Sequence, residues 1–484
     1  MSEAAASTKK TFGEMVVNYF REFGVLKETR AEYWGIQVVN FLDCTYYFAM
    51  IAISTLFLSK ELGMNDINAG YSVTIFSMTI TISLIFAGMI TDWLGIKRSL
   101  YIAFGGMLIF RLLMVGVGLF DQLPYRAILG IALLVLMAPL MAMIQTVFQA
   151  ANARFTTERS RSAGFSLWYL VMNLGAAAAG FSVDIIRLDL GLSNTHFFTM
   201  GAILGVLCVI ATFFFIRREG QLTLESEVSK GQKTDAKKEM AEKKIEKKTP
   251  IQILKELVRE SAFWKLLVLI GLLIGARAVF LYMYMLMPKY WLRTIGESAP
   301  IGLFNTINPI GIIVGIILFI PLVNKVNIFS ALIYGSIVSI ASLFVLVIPW
   351  QWFSSDLAAG ITMMTISSQV LLTIGEVIWS PKLSEYTAAI APPGQEGTYL
   401  GFSMIPWFLA KAIVGALSGH LLTRWCPEGI HDKMASGQLS FWDSPAAMWL
   451  VLGGFALAGS VIALILRGWL TKGARFASTP ATVH

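Results

Sequence analysis

Long apolar runs follow one another along the chain, separated by short polar loops, and each run is about as long as a membrane-crossing helix. A helix needs about 20 mainly apolar residues to cross the hydrocarbon core of a bilayer. Strand-like alternation is missing from these runs, and backbone in lipid must satisfy its own hydrogen bonds, so we expect helices and not a barrel. The pattern predicts about twelve spans, at residues 32–59, 68–92, 99–120, 127–153, 162–187, 196–217, 263–291, 300–323, 329–350, 356–381, 397–423 and 445–470.

One hydrophilic stretch divides these runs into two sets of six. Residues 218–250 are dense in lysine and glutamate and low in aromatics, which is typical of a solvated linker. The predicted organisation is an N-terminal segment (1–31), a six-helix bundle (32–217), the charged linker (218–250), a second six-helix bundle (251–472) and a tail (473–484). In transporters built from two such halves, the substrate site lies near the membrane midplane between them, and rocking alternates access.

The distribution of lysine and arginine predicts how the chain is oriented. Basic residues are concentrated in the N-terminal segment, in the loops around residues 97–98 and 154–161, and in the linker. Cytoplasmic loops carry such an excess, and an even number of spans puts both termini on one side. We therefore predict a multi-pass integral protein with cytoplasmic termini, in the inner (plasma) membrane if the host is bacterial.

Composition narrows the function classes. The chain is 56% hydrophobic and 14% charged, far from the balance of a soluble domain. Its net charge of +8 fits topology-determining residues, so we expect a lipid bilayer and no nucleic acid as partner, and a monomer. Three distant cysteines predict no metal centre. Phosphate-loop, HExxH and GxSxG motifs are missing from the sequence, so we expect neither an ATP-driven pump nor an enzyme, and no cofactor.

The loop after the second predicted span has the sequence GMITDWLGIKRS. It resembles the GxxxDxxGxRR loop of the major facilitator superfamily, in which the aspartate ties helix ends together. Trp93 and Ile96 depart from that pattern, since a base is usual at each of these positions. The resemblance implies a conformational loop formed by Gly88, Asp92, Gly95, Lys97 and Arg98.

Three further stretches resemble the proton-coupled oligopeptide transporter (POT) family within that superfamily. They are WYLVMNLG at 168–175, NTINPIG around Asn308 and Pro309, and GEVIWSPKL at 375–383, which continues to Pro392 and Gly401. The resemblance covers most of the chain, though loosely. It implies an all-α major facilitator fold of 12 transmembrane helices. It also implies a secondary active transporter that carries small peptides together with protons by alternating access.

Glu376 is the most telling single residue. The resemblance implies that it faces the central cavity, receives the amino terminus of a bound peptide and exchanges it for a proton. A carboxylate within the bilayer costs at least ~2.5 kcal/mol unless it faces water, a counter-charge or a proton, which agrees with that role. The alternative is a solvated residue at the cytoplasmic end of its span, since Pro381 and Lys382 follow it closely.

Two departures from the family keep the substrate open. The first span has NFLDCTYYFAM where the family has ExxERF, so Asn40, Leu42 and Asp43 do not reproduce its glutamates and arginine. The fourth span lacks the family's lysine and has Gln145, Gln149 and Asn152 instead. The alternative function is therefore a carrier or exporter of a muropeptide, a modified amino acid or an amphiphilic drug, with or without proton coupling.

Four ionisable residues lie at mid-span: Asp43, Arg111, Arg277 and Lys411. A central charge needs a partner. The first and seventh spans are symmetry-related and both line the cavity, so we predict an Asp43–Arg277 gating pair. Proton coupling is assigned to Asp43 and Glu376, and Lys411 is a candidate base for Glu376. Arg111 has either a structural partner or a cavity role.

The predicted substrate contacts combine the motif residues with nearby polar and aromatic side chains. Aromatic side chains in spans also serve as packing residues or interface anchors, so that alternative stays open for Tyr282 and Trp407. The full set is Tyr46, Tyr47, Gln149, Asn173, Arg277, Tyr282, Asn308, Glu376 and Trp407.

Overall fold

The computed structural model describes residues 21, 23–217, 259–323, 326–390 and 405–472. The predicted linker, the tail and most of the N-terminal segment lie outside these residues, as do Pro392 and Gly401. The predictions made for those parts of the chain therefore stay predictions.

Six long helices form the N-terminal half of the structure. They are α1 (Ala31–Lys60), α2 (Asp66–Leu94), α3 (Ile96–Leu119), α4 (Arg126–Phe155), α5 (Glu158–Asp184) and α6 (His196–Phe215). Side-chain caps fix some of their starts: the Asn65 side chain accepts a hydrogen bond from the Asn68 amide, and Thr157 and Ser160 form a capping box ahead of α5.

The C-terminal half repeats this count in the described residues. It consists of α7 in three pieces (Ser261–Leu272, Ile274–Met285 and Met287–Thr294), α8 (Ile301–Val323), α9 (Ile328–Val345), α10 (Leu357–Ile390), α11 (Ile405–Trp425) and α12 (Pro445–Ile465). The first two pieces of α7 meet at an angle of 46°. The break at Leu273 lies between Gly271 and Gly275, which weaken a helix locally.

Each predicted span coincides with one of these helices, and the all-α fold class is confirmed. Within the described residues, nine helices are long and apolar enough to cross a membrane, or ten if the bent pair in α7 counts as one span. The predicted tenth span, 356–381, agrees with the apolar segment Leu357–Leu383, although the helix itself runs further. A proline inside a helix costs about 3 kcal/mol, yet α10 continues through Pro381 to Ile390.

Two symmetry-related helix pairs join the halves: α2 packs on α11, and α5 packs on α8. In each pair the second helix of one half meets the fifth of the other, as a pseudo-two-fold arrangement requires. The α5–α8 approach depends on small residues, because a Cβ atom on Gly302 would lie 1.9 Å from the Gly180 carbonyl oxygen.

Ion pairs join the halves at the distal end, which we define as the end where α1 stops and α2 begins. Asp66, the first residue of α2, lies 2.7 Å from both Lys289 and Arg293 in the last piece of α7. Lys60 at the end of α1 pairs with Glu297. All three basic–acidic contacts cross from one half to the other, so the halves are tied at this end in this conformation.

A helix cap adds to this connection. The Asp184 carboxylate, at the end of α5, accepts hydrogen bonds of 2.7 Å from the backbone amides of Gly302 and Leu303. Amides in the first turn of a helix have no hydrogen-bond partner within the helix, and this end of a helix favours a negative charge. The cap therefore links the second symmetry-related pair at the same end as the Asp66 ion pairs.

Candidate functional site

Glu376 lies on α10 and faces α8. The Asn308 side-chain amide donates to Glu376 Oε2 over 2.9 Å and lies 3.2 Å from the Thr373 hydroxyl. Beyond Glu376 the helix continues for about four more turns, so this carboxylate is not at a helix end. The position does not favour the alternative of a solvated boundary residue.

Arg277, in the middle piece of α7, lies between two tryptophans. Its guanidinium carbon is 5.1 Å from the centre of the Trp379 ring and 5.5 Å from that of Trp407. Arg277 interacts electrostatically with Glu376, although the two form no direct ion pair among the described residues. The site therefore contains a cation and an anion close together but not in contact.

Tyr169 on α5 is the contribution of the N-terminal half to the region around Glu376 and Arg277. It lies close to both Glu376 and Arg277, and its hydroxyl is within hydrogen-bond reach of Ser380. The sequence identified Tyr169 only as part of a motif and not as a site residue. Its neighbour Asn173, one turn along α5, is buried and donates to the Tyr169 carbonyl oxygen over 2.9 Å, which makes Asn173 a support for this position.

Lys411 on α11 connects the halves on the other side of Trp407. Its Nζ donates to the Tyr47 hydroxyl on α1 over 2.8 Å and lies 5.1 Å from the centre of the Trp407 ring. Trp407 is thus flanked by two cations, Arg277 and Lys411. Five of the predicted residues are therefore brought together around α7, α8, α10 and α11: Arg277, Asn308, Glu376, Trp407 and Lys411, with Tyr47 reaching them from α1.

Asp43 is outside this cluster, and the predicted Asp43–Arg277 pair is not formed in this conformation. Asp43 Oδ1 lies instead 3.9 Å from Arg111 Nη2, on α3 of the same half. The physical reason is helix rotation: the side of α1 that bears Asp43 faces α3 and α6. The partner of Arg111, which the sequence left undetermined, is Asp43.

Arg111 is held firmly inside the N-terminal half, with 1% of its side chain exposed. Its Nη1 donates to the Gly201 carbonyl oxygen over 2.6 Å, and its guanidinium lies 3.7 Å from the centre of the Tyr46 ring. Tyr46 is fully buried beneath it. These contacts favour a structural role for Tyr46 over the predicted substrate contact.

Among the described residues, two other predicted substrate residues, Tyr282 and Gln149, make no hydrogen bond, ion pair or ring contact with a member of the cluster. Tyr282 is buried with its ring 6.4 Å from that of Trp449, which favours the packing alternative. Gln149 is exposed on α4. Within the described ranges, no group of three His, Cys, Asp or Glu side chains is arranged to hold a metal ion.

The predicted conformational loop joins α2 to α3. Gly95 has a φ of 83°, a left-handed conformation that favours glycine at this sharp turn. Lys97 lies 5.8 Å from the centre of the Phe213 ring on α6, and Arg98 is exposed. The Asp92 side chain lies outside the described part of the structure, so its predicted tying role stays a prediction; the backbone at Gly88 lies within α2.

Comparison with known proteins agrees with this architecture. The model of the family described as Major Facilitator Superfamily matches residues 34–415. No curated protein matches this sequence closely enough to count as a relative.

Solved structures of peptide transporters are similar in fold. One is a mutant of a peptide transporter POT in complex with alafosfalin, with a TM-score of 0.68, 16% identity, and coverage of 92% of this chain and 96% of that one. A POT family transporter in complex with 5-aminolevulinic acid has a TM-score of 0.67 at 16% identity, covering 91% and 96%. A bacterial homologue of the human drug peptide transporters PepT1 and PepT2 has a TM-score of 0.65 at 15% identity, covering 91% and 98%. At these identities the similarity establishes the fold, and it agrees with the predicted resemblance to that family.

Proposed function

The chain belongs to the Major Facilitator Superfamily, and on that premise we propose that it is a proton-coupled symporter of small peptides or peptide-like molecules. Members of this superfamily are transporters and not enzymes. The observation that carries the proposal is Glu376: a carboxylate on α10, hydrogen-bonded by Asn308 and close to Arg277, at the place where α5 of the other half also contributes Tyr169.

Glu376 is suited to exchange a proton for a substrate amine. Glu376 is partly buried within a membrane-spanning helix, where a carboxylate is costly while the neutral acid is tolerated. When the ammonium group of a substrate approaches, the charged form of Glu376 gains a partner and its proton passes to a second carried site, for which Asp43, the other predicted proton-coupling residue, is the candidate. The substrate and the proton then leave together on the inner side, and Glu376 takes up a new proton from the outer side, so that each cycle moves one proton and one substrate in the same direction.

Alternating access supplies the movement. In this conformation the halves are tied at the distal end by Asp66, Lys289 and Arg293, and by the Asp184 cap on α8. The distribution of basic residues supports cytoplasmic termini, which puts this distal end on the outer side of the membrane. Opening the site outward then requires these contacts to break, and they re-form when the site closes on that side. A single copy holds both halves, in keeping with a monomer.

The substrate class follows from the chemistry of the cluster together with the relatives. Glu376 accepts an ammonium group and Arg277 carries a positive charge, so the cluster suits a molecule with both an amine and an acid. Alafosfalin and 5-aminolevulinic acid, each bound to one of the similar transporters, are therefore suitable probes.

Uptake into proteoliposomes tests the proposal. We expect labelled dialanine to accumulate when the interior is more alkaline than the outside, and 5-aminolevulinic acid and alafosfalin to compete with it. An ionophore that collapses the proton gradient should abolish accumulation and leave slow equilibration. Dialanine uptake that is absent, or that does not respond to the gradient, would contradict the proposal and would favour the carrier of another substrate class.

A further inference from the structure

We propose that Arg277 binds the carboxylate of the substrate, so that both charged ends of a short zwitterion are held by the C-terminal half alone. This inference rests on the proposed function and adds the substrate's anionic end and its length. The first span lacks the family's arginine and the fourth its lysine, so the carboxylate needs another cation. We assign this cation to Arg277 because of its position and contacts.

The guanidinium of Arg277 has the arrangement of a carboxylate receptor. It lies over the rings of Trp379 and Trp407, at 5.1 and 5.5 Å from their centres. A contact of this kind holds the guanidinium through its charge and supplies no oxygen acceptor, so its N–H groups stay available for an oxygen ligand. Those N–H groups form a rigid fork that matches the two oxygens of a carboxylate.

The donors of Arg277 are unused in this conformation. Among the described residues, none accepts a hydrogen bond from its guanidinium, and Glu376 is near it without forming an ion pair. Arg277 is also partly buried, so bulk water does not fully replace the missing partners. A cation with free donors in such a place is a site for an anion from outside the protein.

The two tryptophans are themselves fixed, which keeps the receptor in place before substrate arrives. The Trp379 indole N–H donates to the Ser339 hydroxyl on α9 over 3.0 Å. The Trp407 ring packs against Phe280 with centres 5.5 Å apart. Because the side chains around Arg277 are held by their own neighbours, little ordering is needed on binding.

The positions along α10 limit the length of the substrate. Trp379, which Arg277 overlies, is three residues after Glu376, so the place that Arg277 reaches is roughly one helical turn, on the order of 5 Å, from Glu376 along the axis of α10. A molecule that reaches both has its amine and carboxylate only a few bonds apart, as in a dipeptide or an amino-keto acid. A tripeptide or longer chain does not fit this spacing in an extended form.

Paired substrates that differ only in charge test the role of Arg277. The apparent affinities of dialanine and its C-terminal amide are measured by competition against labelled dialanine, and by thermal shift of the purified protein in detergent. We expect Arg277→Gln to weaken dialanine binding by roughly 10- to 100-fold and to leave the amide unchanged. Arg277→Lys, which keeps the charge but loses the fork, should give a smaller loss that is again confined to the acid. Arg424→Gln, which removes a surface arginine paired with Asp443, is the matched control and should bind both as the wild type does.

The outcomes separate this inference from the proposed function. Equal losses for acid and amide in Arg277→Gln, or an unchanged preference for the acid, would overturn the role of Arg277. If Arg277→Gln does not fold, Arg277→Lys decides by the same comparison. If the wild type shows no gradient-driven uptake, the proposed function fails, while the thermal-shift affinities still decide whether Arg277 reads the carboxylate. Triglycine binding as tightly as diglycine would contradict the length limit.

Discussion

Asn308 on α8 donates a hydrogen bond of 2.9 Å to Glu376 on α10. This bond uses one carboxylate oxygen, Oε2, and orients the other toward a proton or a substrate amine. Removing it with Asn308→Ala should lower the initial rate of gradient-driven uptake by about 10- to 100-fold, since a hydrogen bond to a charged group contributes ~1.5–3 kcal/mol.

Asn305 is the matched control for this prediction. It lies one turn earlier on α8, is 2% exposed, and neither polar atom of its amide has a hydrogen-bond partner. Asn305→Ala therefore removes a similar side chain from the same helix without removing a contact to Glu376. Uptake that falls equally in both variants would show that the effect belongs to α8 packing and not to the bond with Glu376.

A second prediction concerns the Asp43–Arg111 pair. Removing one member of a buried ion pair leaves the other charge uncompensated and costs about 3–5 kcal/mol. Asp43→Asn and Arg111→Gln should each lower the thermal midpoint in detergent, and the double variant should lose less than the sum of the two. For Asp43→Asn and Arg277→Gln, by contrast, the fall in thermal midpoint of the double variant should equal the sum of the two single falls, because these residues do not pair in this conformation. If the double variant fell short of the sum for Asp43 and Arg277 but not for Asp43 and Arg111, the gating pair predicted from the sequence would be supported instead.

The distal ion pairs provide a third prediction, about conformation. Asp66→Asn removes the acid shared by Lys289 and Arg293, so the fraction of molecules open at this end should rise. Cysteines placed at Lys60 and Glu297, whose charged groups are 2.5 Å apart, report closure through their cross-linking rate. The three native cysteines are buried and can be replaced by alanine.

The expected result is slower cross-linking in Asp66→Asn than in the parent. Asp443→Asn is the control, because it removes an ion pair with Arg424 that does not join the halves. An unchanged cross-linking rate in Asp66→Asn would mean that the Asp184 cap and the glycine contacts hold the distal end closed without Asp66.

The carboxyl group of Glu61, in the connection between α1 and α2, gives a prediction about how stability depends on pH. Burial raises the pKa of its carboxyl group, although hydrogen bonds from Asn194, at 2.8 Å and 3.2 Å, oppose that shift. A raised folded-state pKa means that the protonated form favours folding. The stability that Glu61 contributes is therefore complete below the unfolded value of about 4.3 and is lost as pH rises through the folded value.

Glu61→Gln reports this contribution directly. The thermal midpoint of the wild type minus that of Glu61→Gln, measured in detergent, should decrease as pH rises above about 4.3 and then level off. An increase of that difference over the same pH range would mean that the hydrogen bonds from Asn194 outweigh burial.

The sequence predicted the helices because their length and apolar content are properties of each segment alone. The helix α10 continues beyond its predicted span to Ile390, because tertiary packing offsets the local cost of Pro381. Asn308 and Glu376 were both predicted site residues, as motif residues on two spans. The partner of Asp43 was not predictable, because it depends on how α1 is rotated against α3, and the sequence does not specify this rotation. Tyr169 and Trp379 were left out of the predicted site for the same reason, whereas Trp407 was included.

The most direct test of the central claim, that Glu376 exchanges a proton for a substrate amine, is transport by Glu376→Gln. Glutamine keeps the shape of the neutral acid but cannot release a proton. We predict that uptake against a concentration difference, driven by a pH gradient, is lost, while exchange of labelled for unlabelled dialanine across the membrane persists. Gradient-driven accumulation at the wild-type rate in Glu376→Gln, with normal expression, would contradict the account.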